Sequence, residues 1–177
     1  MAAISELKVE SEEEEGDEDY GLLLPREAQR YAATASLGSV VSLSDDEPLI
    51  IAYEVTLQRG LDCGGAYIKV FDETVVADAV SPTSPYTIMF GPDKCGGSGK
   101  IHLIFRMRNP IDGSVEEKHL IGASKIDGKW DNLPHLYVLK LQGNGTFEVR
   151  ERGREYSLMF AKNITLSALT PPPLPPT

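Results

Sequence analysis

A chain of 177 residues, 25% of them charged and with a net charge of -10 at pH 7, is long enough for one domain with a real core. Phosphate backbones are recognised by clustered Lys and Arg, and none stands in this sequence, which argues against a nucleic-acid partner. The longest apolar runs are strand-sized, too short for a transmembrane helix.

In chain order, the residues after Met1 read AAISELKVESEEEE, with neither the basic start nor the apolar core of a secretory signal. Eight of the ten residues 10–19 are acidic. Such a run repels itself, and it predicts a leader over 1–20 without regular structure. Residues 25–33 score as helix on propensity alone. From there the pattern is that of strands. Residues 49–57 place Leu49, Ile51, Tyr53, Val55 and Leu57 on one face by period 2. A second strand is expected over 66–71, and a third over 86–90, stopped by Gly91-Pro92. Residues 100–106 alternate Ile101, Leu103 and Phe105 against His102, Ile104 and Arg106. The Asn109-Pro110-Ile111-Asp112-Gly113 turn leads into a strand over 114–119. Strands over 135–141 and 146–150 flank a Gly143-Asn144-Gly145 turn, a hairpin signature, and 156–160 reads as one more. The tail 170–177 is proline-rich and predicts polyproline-like chain. Several short strands at this spacing imply an antiparallel β-sandwich.

Three constellations bear on chemistry. Cys63 and Cys95 allow one pairing or two free thiols, and the residues alone favour the thiols. Gly65, Tyr67 and Lys69 share a strand face opposite Ala66, Ile68 and Val70. A ring, an ammonium and bare backbone at Gly64-Gly65 suit a sugar, whose C–H groups pack on aromatic faces and whose hydroxyls take hydrogen bonds. The residues alone favour the plainer reading, that Tyr67 and Lys69 are the solvated side of an amphipathic strand. Catalysis lacks a basis: Glu116 and Glu117 are adjacent and point to opposite faces, unlike a glycosidase pair. His102, His119 and His135 have no metal-ligand spacing, and no G-x-S-x-G appears.

DCGGAYIK and TIMFGPDKCG closely resemble the lectin domain of the calnexin and calreticulin family, over residues 21–173 and more weakly after Leu120. The resemblance implies an all-β antiparallel sandwich of concanavalin A-like, legume-lectin-type jelly-roll architecture. It implies extended chain rather than helix over 21–37, and a disulfide between Cys63 and Cys95. It makes Tyr67, Lys69, Tyr86, Met89 and Glu117 the contacts for the terminal glucose of a monoglucosylated high-mannose N-glycan. It aligns Asp19 with one ligand of a structural calcium. Most other calcium ligands, a first strand, the proline-rich arm and a returning C-terminal strand of the family have no counterpart here. The implied organisation is therefore a leader over 1–20, a partial lectin domain over 21–166 and a tail over 167–177 that starts the missing arm. The sandwich is expected to be incomplete, as in a fragment or truncated paralogue. By resemblance the function is a calcium-dependent lectin chaperone for unfolded glycoproteins in the endoplasmic reticulum lumen, where the Asn163 sequon is also usable. The family's oxidoreductase partner is not carried over, because it docks on the arm. The alternative is a polypeptide-binding module, or a truncated paralogue without function.

Overall fold

The structure, a computed structural model, describes residues 8–14, 17–44, 46–109, 111–120, 130–153 and 158–160, with backbone only over 8–20 and 152–160. The chain forms two compact units, one of Met1–Val40 with Glu73–Pro85, the other of Val41–Asp72 with Tyr86–Thr177.

In the first unit, β1 (Lys8–Glu14) pairs antiparallel with β2 (Asp17–Leu23), from Lys8 opposite Leu23 to Glu14 opposite Asp17. This corrects the expectation of an unstructured leader. Repulsion among carboxylates favours an extended backbone, and two extended segments in sequence satisfy each other's N–H and C=O groups. Acidic positions stand opposite each other in its register, as Glu13 does to Glu18. Residues 25–33 hold no helix, only a turn, with Ala28 at a φ of 55°. The Thr34 hydroxyl donates to the Ala77 carbonyl (3.0 Å) of a short 3-10 turn, Ala77–Ala79.

The second unit is a sandwich of two antiparallel sheets. Its strands are β3 (Leu49–Thr56), β4 (Cys63–Gly65), β5 (Ile68–Phe71), β6 (Tyr86–Cys95), β7 (Ser98–Arg108), β8 (Val115–His119), β9 (Pro134–Leu141), β10 (Phe147–Gly153) and β11 (Leu158–Phe160). One sheet runs β11-β10-β9-β3; the other runs β4-β6-β7-β8, with β5 also on β6. Alternation decides which side of each strand is buried. Tyr137, Leu139, Leu141, Phe147 and Val149 of the first sheet pack on Ile88, Phe90, Ile101, Leu103 and Phe105 of the second. The Phe105 and Phe147 rings meet 5.6 Å apart across the gap. Removing a side chain such as Phe90, 0% exposed, from water stabilises the fold by about 1.5–3 kcal/mol. His135 is buried in the same layer, with Nε2 2.6 Å from Asp131 and Nδ1 3.3 Å from Glu151.

Two expected boundaries are corrected, for one reason. The strand expected over 66–71 is split into β4 and β5, and β6 does not stop at Gly91-Pro92 but continues to Cys95. Pro92 keeps its carbonyl, which accepts from the Ala66 N–H (3.0 Å), but has no N–H to return to Ala66. The ladder therefore breaks locally at Ala66-Tyr67. Its register is unchanged, Gly65 opposite Asp93 before the break and Ile68 opposite Phe90 after it.

Gly91 makes this crossing possible. Its φ is 149°, and a Cβ there would overlap the Tyr53 hydroxyl and the Ala66 carbonyl. Gly91→Ala is expected to cost about 2–3 kcal/mol, through overpacking and a backbone poorly suited to alanine. Urea denaturation measures it, and a cost below about 0.5 kcal/mol would contradict the account.

Candidate functional site

The outer face of the five-stranded sheet gathers the residues singled out from sequence. Register fixes a row of Lys69, Met89, Ile104 and His119 across β5, β6, β7 and β8. Gly91 with His102 and Arg106 with Glu117 stand in the rows on either side. Tyr86 and Met89, three apart, would point to opposite faces in a regular strand. They share this one because the β5–β6 pairing shifts between Val70 and Phe71: Val70 faces Ile88, Phe71 faces Tyr86, and Thr87 is left as a bulge. The Thr87 hydroxyl ties the bulge down by donating to the Val70 carbonyl (3.0 Å).

Two polar groups flank Met89. In the first, the Lys69 ammonium lies 5.0 Å from the centre of the Tyr86 ring, and the Tyr86 hydroxyl donates to Glu117 Oε1 (2.9 Å). Burial, then the Glu117 carboxylate, pushes the Tyr86 hydroxyl above its usual pKa, so it remains a donor at neutral pH. Glu117 Oε2 stands 3.4 Å from His119 Nε2. In the second group, the Tyr67 hydroxyl donates to Asp93 Oδ2, while Asp93 Oδ1 lies 3.6 Å from His102 Nε2. The Tyr67 and His102 rings meet edge to face at 5.9 Å. Burial and then Asp93 hold the Tyr67 phenol protonated. The Tyr67 ring fills the space that a Cβ at Gly65 would need.

All five expected residues thus face one way, and none is fully buried. Sequence reading passed over Asp93 and His102, treating His102 as an ordinary strand residue. Parity alone would have found them, since 65, 67 and 69 oppose 93, 91 and 89, and Gly91 opposes His102. Burial, then Lys100, lowers the His102 pKa, with Asp93 opposing. A depressed folded pKa favours the folded state above the unfolded value of 6.5 and loses that contribution as pH falls below it. His102 ring signals in an NMR titration should therefore show a ring less than half protonated at pH 6.5. A half-protonated ring at that pH would contradict this.

Cys63 and Cys95 face each other across β4 and β6 and form a disulfide, their Cα atoms 3.9 Å apart. It closes the sheet edge two residues beyond Gly65 and Asp93. Asp19 lies opposite Glu12 in β1–β2, and its side chain falls outside the described residues. Among the described residues no group of three or more His, Cys, Asp or Glu is placed to hold a metal ion. Calcium takes about 6–8 oxygens, and the described carboxylates do not gather in such a number at any one place. Glu116, next to Glu117, turns the other way and pairs with Lys118.

Comparison with known proteins gives these features a context. A family model described as the calreticulin family matches residues 3–177. The calnexin of Caenorhabditis briggsae is 37% identical over 160 residues, 87% of this chain and 25% of that protein. The calmegin of Mus musculus is 44% identical over 136 residues, 74% of this chain and 22% of that protein. The chain thus spans about a quarter of the length of these curated relatives. Among solved structures, the T. cruzi calreticulin globular domain superposes with a TM-score of 0.69 at 22% identity, covering 92% of this chain and 57% of that one. That likeness establishes the fold, the concanavalin A-like antiparallel sandwich.

Proposed function

The chain belongs to the calreticulin family, and we propose that the outer face of its five-stranded sheet binds the terminal glucose of a monoglucosylated high-mannose N-glycan. What supports the reading above all is the convergence of Tyr67, Lys69, Tyr86, Met89 and Glu117 on one accessible face. Tyr and Met side chains offer apolar surface to a pyranose C–H face, while Lys69 donates and Glu117 accepts hydrogen bonds from hydroxyls. Tyr86 with Glu117 and Tyr67 with Asp93 are already hydrogen-bonded, so little side-chain freedom is lost on binding.

On this reading the protein is a binding module rather than an enzyme, acting as a lectin chaperone on folding glycoproteins in the endoplasmic reticulum lumen. The Cys63–Cys95 disulfide suits that oxidising compartment. Among the described residues no helix is long and apolar enough to cross a membrane. Calcium, an expectation of the family, is given no part in sugar contact. Calorimetry with the full chain tests the reading, using a monoglucosylated oligosaccharide and the same oligosaccharide lacking glucose. Heat of binding with the first alone is expected. No binding, or equal binding of both, would overturn it.

A further inference from the structure

We propose that Tyr53, which reaches across the core from the opposite sheet, is the positioning residue for Tyr67; the inference rests on the sugar-binding reading of the outer face. Tyr53 sits on the inner side of β3, with its ring 5.8 Å from Tyr137 and edge-on to Phe90 at 6.0 Å. Its hydroxyl lies 2.9 Å from the Ala66 carbonyl and 3.0 Å from the Phe90 carbonyl. Ala66 is the residue opposite Pro92, whose missing N–H leaves the Ala66 carbonyl without its ladder donor. The Tyr53 hydroxyl supplies that donor. Its single proton is shared with the carbonyl just before Gly91, the residue opposite Tyr67, 3.0 Å away, so the hydroxyl bridges both sides of the break on which Tyr67 stands. The bare backbone of Gly91 admits it: a Cβ there would overlap the hydroxyl and come within 3.1 Å of the Tyr67 Cα. Burial, then Tyr137, pushes the Tyr53 phenol far above its usual pKa, so the donor persists at every working pH.

The chain of consequence runs from core to surface. With Tyr53 in place, Ala66 is fixed and the Tyr67 ring lies over Gly65 with its hydroxyl on Asp93. Without the hydroxyl, a part-buried carbonyl loses its partner and the break relaxes toward other arrangements.

The test compares the full-length wild type with Tyr53→Phe and with a control, Phe147→Leu, which disturbs the core at Phe105. Two readouts are taken: the Tyr67 ring signals without ligand, and affinity for a monoglucosylated oligosaccharide. Tyr53→Phe is expected to shift the Tyr67 signals and weaken binding about tenfold, the equivalent of one hydrogen bond. Phe147→Leu should lower the melting temperature and leave both readouts unchanged. Unmoved Tyr67 signals in Tyr53→Phe, or unchanged affinity beside a wild type that binds, overturn the proposal. A wild type that binds no sugar, with Tyr67 still displaced by Tyr53→Phe, sinks the lectin reading and leaves the positioning intact. Should Tyr53→Phe not fold, the wild type decides: a slowly exchanging Tyr53 hydroxyl proton close to Ala66 supports the proposal, and its absence contradicts it.

Discussion

Lys69→Ala is expected to abolish measurable binding of a monoglucosylated oligosaccharide while changing stability by no more than about 1 kcal/mol. Lys69 is exposed on β5, and its ammonium lies over the Tyr86 ring. An exposed cation–π contact contributes only about 0.5–1 kcal/mol at most, and the fold scarcely depends on it. A sugar on this face is affected far more. It loses the ammonium donor for its hydroxyls, and the Tyr86 ring loses the cation that restrains one side of it. Tyr67→Ala should be as damaging to binding, yet it differs in mechanism. It removes the apolar platform and also leaves Asp93 with His102 as its neighbour. Calorimetry and thermal melts on the same samples separate the effects; retained affinity in both variants would contradict the assignment of this face.

The second large effect concerns stability. Replacing Cys63 and Cys95 together by serine is expected to cost about 3–4 kcal/mol, from the chain entropy released when a loop spanning 32 positions is opened. That is a large part of the 5–15 kcal/mol that holds a typical domain folded. The bridge closes the edge of the sheet where β4 contributes only three residues, so β4 should be the first strand to part from β6. Guanidinium denaturation with and without reductant measures the cost. Identical midpoints under the two conditions would show that the bridge contributes nothing.

Strand periodicity made most of the sandwich legible. The alternation of Leu49, Ile51, Tyr53 and Val55 against Ile50, Ala52, Glu54 and Thr56 is reproduced in their burial. The core cluster likewise takes Ile101, Leu103 and Phe105 from 101–106, while Ile104, on the outer face by register, is buried there at 5% exposure. The disulfide and the sugar-facing set came from family resemblance, because two cysteines 32 positions apart and a Tyr-x-Lys pair have many ordinary explanations. Three features were misread, each where a local rule met a neighbour outside its window. Gly91-Pro92 reads as a strand stop, but β7 pairs with both residues and carries the strand through. The 66–71 segment reads as continuous, yet the proline that interrupts it lies on the partner strand. The acidic block reads as unstructured, since a charge count says nothing about whether two extended segments pair. The bulge at Thr87 falls between these cases: the need to bring Tyr86 and Met89 together required an irregularity before Gly91, and pairing with β5 located it.

The most direct test of the central claim is an NMR titration of the labelled full chain with a monoglucosylated oligosaccharide, because the two sheets provide an internal control. If the outer face of the five-stranded sheet is the sugar-binding surface, signals of Lys69, Tyr86, Met89 and Glu117 should shift in a saturable way. Those of Ile50, Ala52 and Glu54, exposed on the far side of the other sheet, should remain still. Shifts confined to the far sheet, or no saturable shift on either face, would contradict the account.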